Sequence, residues 1–205
     1  MEQGFLDLLS ARKGHFRLES GYHGGLWLDL DPLFVVPGRI KPFVEGLADR
    51  LKGHNIEAVC GPLVGGAFLA QAIAAMLDVE FYYAERFAPD VRDAGTGTGT
   101  GTLYPVEYRI PGGVSGMLRG KAVAVVDDAI SAGSAVRGTL ASLEASGAKP
   151  VAMGALLVLG SQAEHFCRER GLALECIAQL PYEVWLPTEC PLCASGVALE
   201  DPTAP

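Results

Sequence analysis

The chain has 205 residues and a formal net charge of −8, and 49% of its residues are hydrophobic. This length is typical of a single domain, and the apolar content is sufficient for a packed core, which excludes disorder of the whole chain. An acidic surface repels phosphate backbones and anionic lipid headgroups, so neither nucleic acid nor a membrane is the expected partner.

The N-terminus and the cysteines indicate the cellular compartment. Residues 1–17 mix acidic and basic side chains with apolar ones, an order that differs from that of a signal peptide. The longest nearly apolar run, residues 151–159, is far shorter than the ~20 residues of a membrane-spanning helix. Five scattered cysteines disfavour a secreted disulfide framework. We therefore predict a soluble cytoplasmic protein.

Short apolar runs alternate with helical segments along the chain. The predicted strands are residues 56–60, 79–83, 122–126 and 151–159, and the predicted helices are residues 67–77 and 135–146. Glycine-bearing loops at residues 61–66 and 127–134 lead from strand to helix. This order is typical of a parallel sheet with helices on both faces. We expect an open, mostly parallel α/β sheet in a single domain over residues 1–205.

Two regions depart from this pattern. Residues 95–102 repeat Gly-Thr without an apolar face, which predicts a mobile surface loop. Residues 106–110 then alternate in polarity, which predicts a β-hairpin arm. Together they form a flexible insertion over residues 88–118, of the kind that serves as an active-site lid or is disordered. The tail, residues 187–205, is rich in proline and cysteine and is expected to pack along the surface before fraying near Pro205.

The most informative stretch follows the apolar residues 123–126. Asp127 and Asp128 stand at the carboxyl end of a predicted strand, where ligands bind in open α/β sheets. Carboxylates accept hydrogen bonds from vicinal ribose hydroxyls, and the small residues that follow, with a helix N-terminus, can hold a phosphate. The pattern predicts a ribose-phosphate site. The alternative is that the two aspartates only end the strand and begin a turn.

This stretch resembles the signature with which type I phosphoribosyltransferases bind phosphoribosyl pyrophosphate (PRPP). Three other segments resemble the orotate phosphoribosyltransferase branch of that family. Residues 16–21 resemble its N-terminal motif, residues 60–66 its pyrophosphate-binding loop, and residues 82–86 the strand that ends in its Arg-Lys pair. The resemblance extends over residues 16–159.

The resemblance implies a type I phosphoribosyltransferase fold with a small hood formed by residues 1–35. It implies a Mg²⁺-dependent pentosyltransferase that moves the 5-phosphoribosyl group from PRPP to a nitrogenous base and releases pyrophosphate. Orotate is the expected acceptor, giving orotidine 5′-phosphate in pyrimidine biosynthesis. A homodimer is also implied, since the mobile loop of the orotate branch reaches into the neighbouring subunit's site.

The implied roles fall on matched positions. Asp127 and Asp128 contact the ribose hydroxyls, and Arg86 meets the charge of the pyrophosphate. The residues implied to wrap the 5′-phosphate are Ala129, Ile130, Ser131, Ala132, Gly133 and Ser134, and those implied to bind pyrophosphate are Leu63, Val64, Gly65 and Gly66. Mg²⁺ is expected to sit chiefly on PRPP oxygens and water, so no protein ligand is assigned to it.

The chain also lacks four cations that the orotate branch directs at anionic ligands. They are replaced or missing at Glu19, at Phe87, at Gly160-Ser161 and in the loop 89–104. The candidate substitutes, which are alternatively solvated surface charges, are Arg92, Arg109, Arg119 and Lys121. Two other functions therefore stay open: a PRPP-binding or nucleotide-binding sensor without turnover, and a transferase for a base that has no carboxylate.

Two smaller features remain. Residues 27–31 alternate, which predicts that Asp29 and Asp31 share a solvated strand face. Cys190 and Cys193 form one Cys-x2-Cys pair, whereas a structural zinc site needs four ligands. The candidate partners are Cys167, Cys176, His15, His23, His54 and His165. The pair is interpreted as a turn, a redox pair or half of a metal site, the last including a site shared by two subunits.

Overall fold

The computed structural model describes residues 1–18, 20–87 and 107–202. Within these ranges the elements are, in chain order, α1 (Glu2–Leu6), β1 (Ser10–Arg17), β2 (His23–Asp29), α2 (Asp31–Val35), α3 (Pro37–Leu51), β3 (Ala58–Pro62), α4 (Gly65–Leu77), β4 (Glu80–Phe87), β5 (Glu107–Arg109), α5 (Gly112–Ser115), β6 (Ala122–Ile130), α6 (Ser134–Ala145), β7 (Lys149–Leu159), α7 (Gln162–Arg170), β8 (Ala173–Leu180), β9 (Val184–Trp185) and α8 (Pro191–Ala194).

The main sheet has the strand order β5-β4-β3-β6-β7-β8. The strands β4, β3, β6, β7 and β8 pair in parallel, and β5 pairs with β4 at the edge of the sheet in the antiparallel sense. The predicted hairpin arm thus contributes an edge strand, although residues 88–106 of the insertion lie outside the described part of the chain. The predicted parallel α/β sheet is confirmed.

Two apolar layers cover the faces of this sheet. On β6, Ala124 and Val126 pack into the layer formed with α3 and α4. Val123 and Val125 pack into the opposite layer, formed with α6 and α7. Because successive side chains of a strand point to opposite faces, a strand buried on both sides reads as an uninterrupted apolar run. Helices on both faces are therefore confirmed.

A second sheet of three strands has the order β1-β2-β9. β1 and β2 are antiparallel and lie within the predicted hood region, residues 1–35. The C-terminal tail runs back to this sheet, where the Glu200 N–H donates to the His15 carbonyl oxygen at 2.8 Å and the Arg17 N–H to the Glu200 carbonyl oxygen at 2.8 Å. Residues 203–205, including the end predicted to fray, lie outside the description.

Two local predictions were wrong. β6 continues to Ile130, so Asp127 and Asp128 lie within the strand and not in a loop over residues 127–134. The extension exists because β7 stays in register beside it, which no local pattern shows. β2 ends at Asp29 and α2 begins at Asp31, so these two carboxylates do not share a strand face. Pro32 suits the first turn of a helix, where no N–H is needed.

The turn from β3 to α4 requires glycine at position 61. A Cβ on Gly61 would overlap the Gly66 carbonyl oxygen, which belongs to the backbone and cannot move aside independently. This close approach arises because the chain turns from strand to helix within two residues, between Pro62 and Gly65. The Leu63–Val64 peptide bond in this turn is cis. In the described ranges, no helix combines the length and apolar character needed to cross a membrane.

We expect Gly61→Ala to lower the free energy of unfolding by at least about 2 kcal/mol, because the new methyl group collides with backbone. Urea unfolding measures this change. Gly53→Ala is the matched control, since a Cβ at Gly53 meets nothing within 4 Å, and it should stay within about 0.5 kcal/mol of the wild type. Equal stability of the two variants would contradict the close approach.

Candidate functional site

A cavity of about 520 Å³ lies at the carboxyl ends of β3 and β6. Eleven of the thirteen residues predicted for the site line it, namely Leu63, Val64, Gly65, Asp127, Asp128, Ala129, Ile130, Ser131, Ala132, Gly133 and Ser134. Gly66 and Arg86 are the two that do not. The segments that sequence reasoning assigned to pyrophosphate, ribose and 5′-phosphate therefore meet in one place, while the individual roles stay predictions.

The two aspartates are held by the backbone that follows them. Asp127 is buried, and its Oδ1 accepts a hydrogen bond from the Asp128 N–H at 3.0 Å. The Asp128 Oδ1 accepts one from the Ala129 N–H at 2.8 Å. These bonds fix both carboxylates at the end of a rigid central strand, which is the preorganisation that recognition of a diol needs.

The glycines at the start of α4 lie against these carboxylates. A Cβ on Gly65 would overlap Asp128 Oδ2, and a Cβ on Gly66 would lie 2.7 Å from Asp127 Oδ1. Any larger residue at either position would push an aspartate out of place. Gly66 thus contacts the aspartate pair although it does not line the cavity.

The loop of residues 131–133 joins β6 to α6 and has the features of an anion site. Gly133 has a φ of +78°, a left-handed conformation that precedes the first turn of the helix. Ser131 Oγ is buried and has no hydrogen-bond partner among the described residues. A buried hydroxyl without a partner costs free energy. An anionic oxygen bound at the N-terminus of α6 would satisfy this hydroxyl and the helix dipole together.

The cavity is acidic. Asp31, Asp127 and Asp128 line it, and none of its lining residues in the described part of the chain is lysine or arginine. Burial raises the pKa of Asp128, and the carboxylate of Asp31 adds to the rise, whereas the hydrogen bond from Ala129 opposes it. Such a site repels a bare anion and favours a cation or an anion that carries one.

Arg86 lies beside the cavity rather than in it. It lines a neighbouring cavity of about 510 Å³, with Leu63, Val64 and Tyr108 common to both. Leu63 and Val64, in the turn after β3, thus face both cavities. Its role toward pyrophosphate stays a prediction.

The other candidate cations do not line the 520 Å³ cavity. Arg109 pairs with Glu107 at 2.7 Å and lies over the Phe87 ring at 4.8 Å. Lys121 pairs with Glu80. Arg119 is also absent from the lining, and Arg92 falls outside the described residues.

Six further residues line this cavity without having been assigned to the site, and two of them, Asp31 and Tyr108, were interpreted differently from the sequence. Asp31 was interpreted as part of a solvated strand face, and the signal against that was Pro32, which marks a helix start. Tyr108 was assigned only to the hairpin arm. It is buried between the exposed Glu107 and Arg109, the alternation expected of a strand with one covered face.

A third cavity of about 340 Å³ borders the loop of residues 131–133. Ser131 lines it together with Gly160, Ser161, Tyr182 and Glu183. Glu183 is the charged residue of this lining, so within the described chain no cation faces the cavity. Its lining presents hydroxyl, amide and aromatic groups next to the 520 Å³ cavity.

Comparison with known proteins connects this geometry to a family. Residues 40–171 match the family model described as the phosphoribosyl transferase domain. Two curated relatives are both orotate phosphoribosyltransferases. That of Thermotoga maritima is 30% identical over 190 residues, 93% of this chain and 90% of the relative. That of Caldanaerobacter subterraneus is 28% identical over 198 residues, 97% of this chain and 93% of the relative.

Solved structures show the same fold. The orotate phosphoribosyltransferase of Aeropyrum pernix superposes with a TM-score of 0.57 at 24% identity, covering 83% of this chain and 88% of that one. The adenine phosphoribosyltransferase of Thermoanaerobacter pseudethanolicus gives 0.66 at 15% identity, covering 87% and 99%. The resemblance found in the sequence is confirmed.

Asp128→Asn is expected to stabilise the ligand-free protein at neutral pH. Burial raises the pKa of Asp128 above its ordinary value of 3.8, so ionisation of this carboxyl opposes folding once the pH exceeds that value. Asparagine removes the charge and keeps an oxygen for the Ala129 N–H. The gain in free energy of unfolding should be largest above the raised pKa and shrink as the pH falls toward 4.

Urea unfolding at pH 7.5, 6.0 and 4.5 measures this effect. Asp49→Asn, at an exposed position of α3, is the matched control. A loss of more than about 1 kcal/mol in Asp128→Asn at pH 7.5 would show that the carboxylate stabilises the fold, against this expectation.

Proposed function

Since the chain belongs to the phosphoribosyl transferase family, we propose that it is a PRPP-dependent enzyme that transfers the 5-phosphoribosyl group to orotate and releases pyrophosphate. The observation that carries this proposal is the cavity shared by the aspartate pair, the loop after β6 and the turn after β3. The choice of orotate rests on the curated relatives, which are named for it.

The proposed reaction assigns one substrate group to each wall of the cavity. Asp127 and Asp128 accept hydrogen bonds from the ribose hydroxyls, while Ser131 and the N-terminus of α6 bind the 5′-phosphate. A nitrogen of the base forms a bond to C1′ and loses its proton to water, as the bond from C1′ to the pyrophosphate oxygen breaks and that electron pair leaves with pyrophosphate. Positive charge develops on the ribose in the transition state, where the two fixed carboxylates stabilise it.

The acidity of the cavity supports a requirement for Mg²⁺. PRPP is highly anionic, and the three carboxylates that line its proposed site would repel it without a cation. Mg²⁺ prefers oxygen ligands and is usually bound through substrate phosphates with one or two carboxylates. Asp31, Asp127 and Asp128 fit that preference. The ion would neutralise the charge that grows on the leaving pyrophosphate.

A second candidate function is transfer to a base without a carboxylate. The 340 Å³ cavity contains Gly160-Ser161, where the orotate branch has an Asp-Arg pair, and in the described chain its lining has no lysine or arginine. The carboxylate of orotate would meet no cationic partner among these lining residues, whereas a neutral base would need only hydrogen bonds from Ser161 or Gln162.

We also propose that the enzyme is a homodimer. Apolar side chains of α2 and α4 are exposed beside the site, with Val35 at 77% and Phe68 at 52%. Phe68 borders a groove of about 750 Å³ between α3 and α4. Both residues border a smaller cavity of about 380 Å³ that also contains Asp31, Val64 and Gly65. This apolar surface is therefore continuous with the substrate cavity. A second copy seated there would cover the apolar groups and border the site.

Pyrophosphate release from PRPP tests the reaction. With Mg²⁺ we expect release with orotate and none without a base or in excess EDTA. Asp128→Asn should weaken PRPP binding about 10- to 100-fold, the cost of losing charge-assisted hydrogen bonds, while Asp49→Asn should behave as the wild type. Isothermal titration measures the affinity.

The remaining outcomes separate the alternatives. Release with uracil or a purine but not with orotate would favour the base without a carboxylate. PRPP binding without release for any base would contradict the enzyme and favour the sensor. Unchanged affinity in Asp128→Asn would remove this residue from the site.

Light scattering after gel filtration tests the dimer. We expect twice the 21.5 kDa of one chain for the wild type, and the monomer mass for Phe68→Asp, because a buried unpaired charge is costly at an interface. Met117→Asp is the control, since Met117 is 57% exposed and lies outside the α2–α4 surface. A monomeric wild type would refute the dimer.

A further inference from the structure

Four metal-binding side chains meet on the second sheet, apart from the cavity of the proposed reaction. His15 comes from β1 and His23 from β2, while Cys190 and Cys193 lie at the start of α8 and within it. One ligand atom of each residue lies within 4.8 Å of the other three. We name this group the His-Cys cluster.

Four of the six separations among these atoms are close to those around a tetrahedral ion. His15 Nε2 lies 3.0 Å from His23 Nδ1 and 3.4 Å from Cys190 Sγ. Cys193 Sγ lies 3.3 Å from His23 Nδ1 and 3.7 Å from His15 Nε2. With Zn–N of about 2.0 Å and Zn–S of about 2.3 Å, the edges of a regular tetrahedron are about 3.3–3.8 Å.

A second contact fixes the tautomer of His15. Its Nδ1 lies 2.8 Å from the Val197 carbonyl oxygen. A carbonyl oxygen only accepts, so Nδ1 carries the proton and Nε2 of the neutral ring presents its lone pair to the cluster. A metal-binding histidine characteristically donates its other ring N–H to a backbone carbonyl or a carboxylate.

The tail that carries the two cysteines has little else to hold it. Cys190 is the one buried residue in the range 187–202. The tail is otherwise attached by the backbone bonds of Glu200, by the bond from His15 to the Val197 carbonyl oxygen and by ion pairs at the surface, such as Arg17 with Asp201 at 3.6 Å. Surface pairs of this kind contribute about 0–1 kcal/mol each. A metal bound across β1, β2 and α8 would provide the missing anchor.

We propose that the His-Cys cluster is a structural site for one Zn²⁺ per chain. Two thiolates and two imidazoles select zinc over magnesium or calcium, which prefer oxygen. Four protein ligands fill a tetrahedral shell and leave no position for a substrate, as in structural zinc sites. This assignment gives Cys190 and Cys193 two partners from their own chain, so no second subunit is required. It stands independently of the proposed reaction.

The site would also position part of the substrate cavity. Leu18 and Ser20, in the connection between β1 and β2, line the 520 Å³ cavity. His15 and His23 flank that connection on either side. A metal that joins them fixes the width of the hairpin and therefore the placement of both cavity residues.

Metal analysis by mass spectrometry tests the proposal on the full chain, purified without a metal-affinity tag, reduced, loaded with zinc and passed through gel filtration. We expect about one zinc per chain in the wild type, and none in Cys190→Ser/Cys193→Ser. Cys176→Ser, which changes a thiol outside the cluster, should retain the zinc.

Substitution by Co²⁺ keeps the test valid if the double variant does not fold. The wild-type protein should show the intense visible bands of tetrahedral cobalt and a thiolate-to-cobalt charge-transfer band in the near ultraviolet. Cys193→Ser should lower the charge-transfer band by about half, since one of two thiolates is lost. Cys176→Ser should leave it unchanged.

Three results would overturn the proposal. The first is the absence of bound zinc after loading. The second is half a zinc per chain, which indicates a site shared by two subunits. The third is retention of zinc by the folded double variant. A Cys190–Cys193 disulfide in the metal-free protein that takes up no zinc after reduction gives the first of these results and supports a redox pair.

Discussion

The contact between Gly65 and Asp128 is the constraint on which the candidate site depends. It joins the N-terminus of α4 to the carboxyl end of β6, and it is possible only because position 65 has no Cβ. The same contact holds the turn after β3, which is proposed to bind pyrophosphate, next to the proposed ribose site. It also helps to bury a carboxylate whose pKa is raised by that burial. The ligand-free protein therefore holds the side chains proposed to bind substrate in an electrostatically unfavourable arrangement, which a bound ligand would relieve.

Much of this site was predictable from the sequence because parallel strands end at one edge of a sheet. The apolar run before Asp127 and the one before Gly61 each predict a strand, and adjacent parallel strands bring their loops together. The extension of β6 to Ile130 was not predictable in the same way. It depends on hydrogen bonds from β7, which follows a whole helix later in the chain. Asp31 was missed since its place in the cavity follows from packing of α2 against α4, a contact without a local pattern.

The missing cations and the acidic cavity have a single electrostatic interpretation. The orotate branch neutralises its ligands with lysine, histidine and arginine, and this chain has Phe87 and Gly160-Ser161 at such positions. In the described ranges the cavity walls offer carboxylates instead, and Arg86 lines a neighbouring cavity. In the proposed reaction, Mg²⁺ carried by the substrate would then neutralise much of this charge.

The His-Cys cluster shows where reasoning along one chain ends. His15 and His23 lie on antiparallel neighbours, and the cysteines that meet them are separated from His15 by more than 170 positions. The sequence displays one Cys-x2-Cys pair and histidines without regular spacing, so half of the ligand set is invisible as a motif. Two observations identify the site. The fold brings the four side chains together, and the tail, with one buried side chain, has too little apolar packing to hold it in place. A metal bound by two ligands from the tail and two from the sheet would supply the attachment that this tail cannot obtain from a hydrophobic core.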